Sequence, residues 1–195
     1  MMRFFVGLDL GQAQDYTALA VLERIENGEY HVRHLERFKL GTPYPAVVER
    51  VRRLMLTRPL LNRSVLVVDR TGVGAPVVDM FRRENLRPVA ITITGGNSVS
   101  SGEGGYHVPK RDLVSTLQVL FQTGRLKVAA ELPEARLFVD ELLNFHVKID
   151  ARTAHDSYGA WREGTHDDLV LAVALAAWYG ERQKKMAPVP KPAGW

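Results

Sequence analysis

The sequence predicts an α/β fold: a mixed sheet, formed by an antiparallel meander followed by parallel strands, with helices on both faces. Two observations carry this prediction. Three β-rich segments come first, and the dipeptide Asn27-Gly28 between the second and the third is a strong hairpin signal. After them, short apolar strands alternate with segments of helical spacing, an order that produces parallel strands with helices packed on the sheet.

The first half of the chain divides clearly into elements. The predicted meander consists of strands at residues 3–10, 16–25 and 29–40. A helix at 44–56, a buried strand at 64–69, a helix at 75–84 and a strand at 87–94 follow. The strand at 64–69 reads SVLVVD, a continuous apolar run typical of a strand that is buried on both faces.

The second half begins with GGNSVSSGEGG at residues 95–105, which has a single apolar residue, too few to form a core, and predicts a mobile loop or a hairpin tip. A helix at 109–123, a strand at 125–128 and an amphipathic helix at 133–145 follow. Strands are predicted at 146–149 and 157–161, and a last helix at 165–183. Residues 1–186 are predicted to form one domain, and the Pro-rich tail 187–195 to be disordered.

Composition excludes several kinds of site. The 195-residue chain has no cysteine, which excludes disulfides and thiolate metal sites and favours a reducing compartment. Its histidines show no spacing of the His-Glu-Xaa-Xaa-His type. Neither a signal peptide nor a membrane span is expected, because the first apolar run is short and no run of about 18 apolar residues occurs. The net charge of +4 is compatible with a polyanionic partner.

Acidic residues stand at unexpected places in three apolar segments. Asp9 interrupts FFVGLDLG, Asp69 ends SVLVVD, and the adjacent Asp167 and Asp168 open the apolar helix of THDDLVLAVALAAW. Each has an ordinary explanation, because aspartate is common in turns and stabilises a helix start by about 0.3–1 kcal/mol. Together, the four acids predict one shared site. If the two strands are neighbours and the last helix packs on the sheet, the carboxylates converge.

Converging carboxylates raise one another's pKa unless cations neutralise them, and Mg²⁺ or Mn²⁺ takes oxygen ligands of this kind. Two such ions, about 3.5–4 Å apart, clamp the attacking and leaving oxygens of a phosphodiester. Neighbours on a helix point about 100° apart, so Asp167 and Asp168 cannot point in the same direction. Which of them contacts which ion stays open, and we expect both to contribute.

Four segments of the chain occur in the same order as the motifs of one known family. They are VGLDLGQAQDYTALAVL, VVDRTGVGAPVVDMF, VPKRDLVSTLQVLFQTGRLKV and THDDLVLAVALA. Over residues 4–179 they resemble the nuclease domain of the large terminases of tailed bacteriophages. The resemblance implies a ribonuclease H-like fold and a two-metal endonuclease that cuts concatemeric DNA during genome packaging. By position, it implies Asp9 as the shared metal ligand, Asp69 as the second acid, and Asp167 and Asp168 as the helix acids.

The resemblance extends to supporting features. Asp15 matches an aspartate that is frequent after the first strand in this family, and residues 95–105 fall where the family has a hairpin near the active site. His166 is a further candidate supporting residue because it directly precedes the helix acids. Candidate contacts to the DNA backbone, which would carry no sequence information, are Lys110, Arg111, Arg82 and Arg83. The implied partners are double-stranded DNA, an ATPase motor, a small terminase and a portal protein, in the cytoplasm of a bacterial host.

Other interpretations remain open at this point. The chain has no GxxxxGK[ST] loop, so motor activity is not expected, and the sequence is that of an excised domain, a split gene product or a stand-alone relative. A Holliday-junction-type resolving endonuclease of the same fold would use a similar set of acids. A non-catalytic DNA-binding module, a sugar-kinase or actin-like ATPase and a Rossmann-type binder are further alternatives. The last lacks its third glycine, because Val77 stands there.

Overall fold

The elements of the structure follow the apolar periodicity of the sequence closely. The computed structural model describes residues 3–11, 15–72, 74–102, 104–152 and 167–185, with the backbone alone for 145–152 and 184–185. Its strands are β1 (Phe4–Asp9), β2 (Ala18–Arg24), β3 (Tyr30–Arg37), β4 (Ser64–Asp69), β5 (Val89–Thr94), β6 (Ser100–Gly102), β7 (Gly105–Pro109) and β8 (Leu126–Val128). Its helices are α1 (Tyr44–Leu56), α2 (Gly74–Arg83), α3 (Lys110–Gln122), α4 (Ala135–Arg152) and α5 (Asp168–Lys185).

The eight strands of the described ranges form one sheet in the order β6-β7-β5-β4-β1-β2-β3-β8. Strands β1, β2 and β3 pair antiparallel, and Gly28 takes a φ of 84° in the turn between β2 and β3, as the Asn-Gly signal predicts. On the other side, β1 pairs parallel with β4, β4 with β5, and β5 with β7. The predicted mixed sheet is therefore confirmed.

Strand β1 divides the core in two, because its side chains alternate between the faces of the sheet. Phe4 and Leu8 pack in one apolar cluster with α1 and α2, whereas Phe5 belongs to the cluster of α3, α4 and α5. Helices thus cover both faces, as predicted. By the same alternation, Gly7 and Asp9 lie on the face that carries α5.

Helix α5 lies directly against β1 because small residues allow a close approach. A Cβ atom on Gly7 would overlap the backbone carbonyl oxygen of Ala172 and lie 3.2 Å from the Cβ of Ala176. Both alanines are fully buried. The predicted packing of the Ala-rich helix on the sheet is confirmed, and it holds the start of α5 close to the end of β1.

Three details of the second half differ from the expectation or extend it. Residues 146–149, predicted as a strand, are helical, because α4 continues to Arg152. A helix already formed gains one hydrogen bond for each residue it adds, and this outweighs the β preference of Val147 and Ile149. Residues 95–105 do form a hairpin tip, since β6 pairs antiparallel with β7. The predicted strand at 157–161, residues 165–166 and the tail 187–195 lie outside the described residues.

Candidate active site

Two aspartates meet at one edge of the sheet because their strands are parallel neighbours. Leu8 of β1 pairs with Val68 of β4, so the next residues along these strands are Asp9 and Asp69. Both are buried, and their side chains are close enough to interact electrostatically. Burial, and then the charge of Asp69, raise the pKa of Asp9 well above its usual range.

The turn after β4 fixes the orientation of Asp69. The backbone N–H and the hydroxyl of Thr71 donate to Asp69 Oδ1 over 2.7 and 2.6 Å, and the Thr71 hydroxyl accepts from the N–H of Ile93 over 2.8 Å. Burial raises the pKa of Asp69, whereas the bonds from Thr71 oppose the shift. The turn therefore occupies one carboxylate oxygen and fixes the orientation of the Asp69 side chain.

The start of α5 brings the second pair of acids to the same edge. The N–H of Leu171 donates to the carbonyl oxygen of Asp167 over 2.9 Å, which makes Asp167 the N-cap residue and Asp168 the first residue of the helix. Asp168 is buried, and burial, followed by the charges of Glu141 and Asp167, raises its pKa to about 7. The charges of Asp167 and Asp168 also raise the pKa of Asp9.

Lys110, the first residue of α3, places a cation among these carboxylates. Its Nζ lies 3.2 Å from Asp167 Oδ2. Burial lowers the pKa of Lys110, while the charges of Asp167, Asp9 and Asp69 oppose that change. The four sequence-predicted aspartates and Lys110 therefore belong to one electrostatic cluster.

Glu141 and Arg37 also belong to this site, although the sequence interpretation did not include them. Asp9 pairs with Ala18, which pairs with Arg37, so Arg37 ends β3 at the same edge of the sheet. Its Nη1 lies 3.8 Å from Glu141 Oε1, and its guanidinium stacks on Tyr16, 4.1 Å from the ring centre. Burial raises the pKa of Glu141 to about 7, against the hydrogen bonds from the start of α5.

A signal for Glu141 was present in the sequence. Ala135 and Phe138 are buried on α4, and Glu141 follows at the same spacing of three, so a carboxylate stands on the apolar stripe of an amphipathic helix. A charged residue on such a stripe is rarely buried without a partner. Arg37 offers no comparable signal, because it ends an edge-proximal strand with mixed polarity.

The hairpin of β6 and β7 is tied to the edge that carries the acids. Arg70, directly after Asp69, donates from Nη1 to the carbonyl oxygen of Gly104 over 2.6 Å. Arg111, the second residue of α3, hydrogen bonds to the side chain and backbone of Asn97 at the other end of the loop. Of the predicted contact residues, Lys110 lies beside the carboxylates, and Arg111 follows it on α3 and contacts the loop.

Other predicted residues are not brought together with these acids. Helix α2 starts after the carboxyl end of β4 and ends before β5 begins, so Arg82 and Arg83 lie toward the opposite edge of the sheet. Arg82 pairs there with Asp79 over 2.8 Å. Asp15 is exposed, but its charge contributes to the raised pKa of Asp168. The candidate residue His166 lies outside the described residues.

The donor set suits a hard divalent cation. Buried carboxylates that raise one another's pKa are stabilised by cations, and Mg²⁺ and Mn²⁺ prefer oxygen ligands. As the side chains stand, no three histidine, aspartate or glutamate residues of the described ranges are arranged to hold an ion. Ligation would therefore require the side chains to turn toward the ion.

Comparison with known proteins agrees with the fold. The model of the family described as the terminase RNaseH-like domain matches residues 6–178. The chain belongs to this terminase family. The family thus confirms the resemblance, and the sheet described above is its ribonuclease H-like fold. No curated protein matches the sequence.

Solved structures of terminases share the fold. The large terminase nuclease from the thermophilic phage G20c has a TM-score of 0.61 and 21% identity, covering 89% of this chain and 80% of that one. The human cytomegalovirus terminase nuclease domain, soaked with Mn, has a TM-score of 0.53 and 16% identity, covering 90% and 83%. The HK97 bacteriophage large terminase has a TM-score of 0.52 and 15% identity, covering 92% of this chain but 40% of that one.

One further property follows from the helices. Each helix within the described part of the terminase-family chain is too short or too polar to span a lipid bilayer.

Proposed function

We propose that this terminase-family chain is a metal-dependent endonuclease that hydrolyses phosphodiester bonds in double-stranded DNA during genome packaging. One observation carries the proposal. Aspartates from three separate segments, Asp9 of β1, Asp69 of β4, and Asp167 and Asp168 at the start of α5, converge at one edge of the sheet. Open α/β sheets bind ligands at the carboxyl ends of their strands, where Asp9 and Asp69 lie.

The four aspartates would hold two divalent cations, Mg²⁺ or Mn²⁺, which supply the activation of water and the stabilisation of the leaving 3′ oxygen. The protein's own part is to collect the ligands in their charged form. Asp9 lies between Asp69 and the start of α5, so it is the residue best placed to serve both ions. Because burial and like charges raise the pKa of Asp9 and Asp168, protons compete with cations for these carboxylates.

DNA would approach across the edge formed by the start of α3 and the β6–β7 hairpin. Lys110 is close to the carboxylates and the half-exposed Arg111 lies next to it, so both can contact phosphates beside the scissile bond. Such contacts bind the backbone without reading sequence, and the affinity they contribute falls as salt rises. Arg82 and Arg83 lie toward the opposite edge and would contact only DNA that extends around the molecule.

An ATPase motor, a small terminase and a portal protein would be the partners of this nuclease in a packaging machine in the host cytoplasm. Membership of the terminase family supports this assignment. The 40% coverage of the HK97 large terminase agrees with it, because the nuclease fold occupies only part of that longer chain.

A plasmid cleavage assay tests the function. The chain should linearise or relax a supercoiled plasmid in Mn²⁺ or Mg²⁺ and lose this activity in EDTA. Asp9→Asn should abolish cleavage, whereas Asp79→Asn, which changes an exposed acid on α2, should not. Retained cleavage in Asp9→Asn would overturn the proposal. A four-way junction in the same assay separates this function from junction resolution, because a resolving enzyme would prefer the branched DNA.

A further inference from the structure

We propose that Glu141 is a positioning residue that caps α5 in place of Asp167 and thereby directs the Asp167 carboxylate toward the active site. The importance of the direction in which the Asp167 carboxylate points rests on the proposed nuclease function. That Glu141 caps α5 in place of Asp167 is a property of the fold, and it can be tested without metal or DNA.

An aspartate at the N-cap of a helix ordinarily uses its own carboxylate as the cap. The side-chain oxygen accepts hydrogen bonds from the N–H of the second or third helical residue, and these groups have no partner within the helix. Asp167 is the N-cap of α5, so the groups that it would cap are the N–H groups of Leu169 and Val170.

Another carboxylate occupies that position. Glu141 Oε2 accepts from the N–H of Leu169 over 2.9 Å and lies 3.4 Å from the N–H of Val170. Glu141 belongs to α4 and precedes these residues by 28 and 29 positions. The Asp167 carboxylate points elsewhere, with its Oδ2 3.2 Å from Lys110 Nζ. The helix is therefore capped by a residue outside it, and Asp167 faces the other acids.

The arrangement is unfavourable for Glu141 itself. The residue is 4% exposed, and among the described residues its buried Oε1 has no hydrogen-bond partner and only the guanidinium of Arg37 nearby, at 3.8 Å. Burying a carboxylate without a full set of hydrogen bonds costs stability, and the charge of Asp168 lies nearby. A cap by Asp167 alone would avoid this cost. The buried Glu141 is explained if the position of Asp167 matters for the site.

A double-mutant cycle in EDTA tests the exchange of caps. Glu141→Leu keeps the volume but removes the acceptor, and Glu141→Gln keeps an acceptor oxygen. In Glu141→Leu, Asp167 should turn back and cap the helix. Adding Asp167→Ala should therefore lower the Tm by about 2–4 °C in the Glu141→Leu background, and by less than about 1 °C in the wild type and in Glu141→Gln. An equal decrease in all three backgrounds would overturn the proposal.

Metal binding provides the second measurement. Calorimetry with Mn²⁺ alone should show about 10–100-fold weaker binding for Glu141→Leu than for the wild type, a change typical of residues that orient ligands. Glu141→Gln should bind within a few-fold of wild type, and the control Asp140→Ala, an exposed acid on the same helix, should not change binding. Unchanged binding by Glu141→Leu would overturn the proposal. If the wild type binds no Mn²⁺, the nuclease function fails, and the cycle in EDTA still decides the cap.

Amide hydrogen exchange keeps the test valid if Glu141→Leu does not fold. In the metal-free protein, the N–H groups of Leu169 and Val170 should exchange equally slowly in the wild type and in Asp167→Ala, because Glu141 protects them. Faster exchange of these two amides in Asp167→Ala would show that Asp167 is the cap in solution and would overturn the proposal.

Discussion

The two pairs of acids in this site reach the same edge of the sheet by different means. Asp9 and Asp69 are placed by the backbone, because the parallel pairing of β1 and β4 brings consecutive strand ends together. Asp167 and Asp168 are placed by tertiary packing, because α5 lies against β1 and its start is capped by Glu141 from another helix. The strand pair should therefore tolerate changes around it, whereas the helix pair should depend on distant residues.

The largest expected effect is on the plasmid cleavage rate, and it should differ between the strand pair and the helix pair. Asp9→Asn or Asp69→Asn should lower the plasmid cleavage rate by at least about 10³-fold, since stabilisation by a metal ion contributes several kcal/mol. Asp167→Asn should lower it by about 10–100-fold, because that side chain also pairs with Lys110 and lies more exposed. Rates measured at saturating Mn²⁺ check the order. A larger loss in Asp167→Asn than in Asp9→Asn would contradict it.

The contact of α5 with β1 can be broken without touching an acid. Gly7→Ala places a methyl group against the Ala172 carbonyl, so α5 must move and the protein should lose about 1–3 kcal/mol of unfolding free energy. Cleavage should fall as well, because the helix pair moves relative to the strand pair. The matched control is Gly102→Ala, where a Cβ would meet no atom of the described residues beyond its chain neighbours within 4 Å. Denaturant unfolding of both variants gives the comparison, and equal stabilities would contradict the close packing.

The pH dependence of stability should report on the buried carboxyl groups of the site, which include Asp168 and Glu141 as well as the strand pair. In the folded, metal-free protein the pKa of Asp168 and of Glu141 is raised to about 7, above the values of the unfolded chain. Between about pH 4 and 7 the folded state therefore binds more protons, so the free energy of unfolding should fall as pH rises, by up to about 3–4 kcal/mol per carboxyl group. The groups facing them are Asp167, Asp15 and Arg37.

Denaturant unfolding at pH 5 and pH 8 in EDTA measures this loss. Asp168→Asn should reduce the loss because it removes one titrating group, and saturating Mn²⁺ should reverse it because the cation favours the charged carboxylates. Unfolding free energies that rise from pH 5 to pH 8 in EDTA would contradict the raised pKa values.

The smallest expected effect concerns the arginines near each edge. Arg111→Ala should weaken binding of double-stranded DNA uniformly across sequences and reduce the slope of log affinity against log salt by about 1. Arg83→Ala, at the end of α2, should leave both nearly unchanged because it lies toward the opposite edge. Binding isotherms at several salt concentrations check this, and a larger effect of Arg83→Ala would show that DNA contacts the other edge.

Some of this structure follows from the sequence alone. The Asn27-Gly28 turn, the apolar run ending in Asp69 and the Ala-rich last helix predict the meander, the buried strand and the packing of α5, because each depends on local preference or periodicity. The four aspartates stand out for the same reason, since a charge in an apolar segment is visible without a structure. The strand predicted at 146–149 was wrong, because α4 continues through these residues despite their β-branched side chains.

What only the tertiary structure decided is how the acids are held. Any carboxylate can cap a helix, and no local signal in the sequence points to Glu141 as the cap of α5, whereas the fold brings this residue from 28 positions earlier to the start of that helix. Arg37 reaches the site only through strand pairing. Likewise, the arginine clusters look alike in sequence, and only the direction of α2 separates Arg83 from Arg111. The sequence determined which charges are unusual, and the packing decided which of them meet.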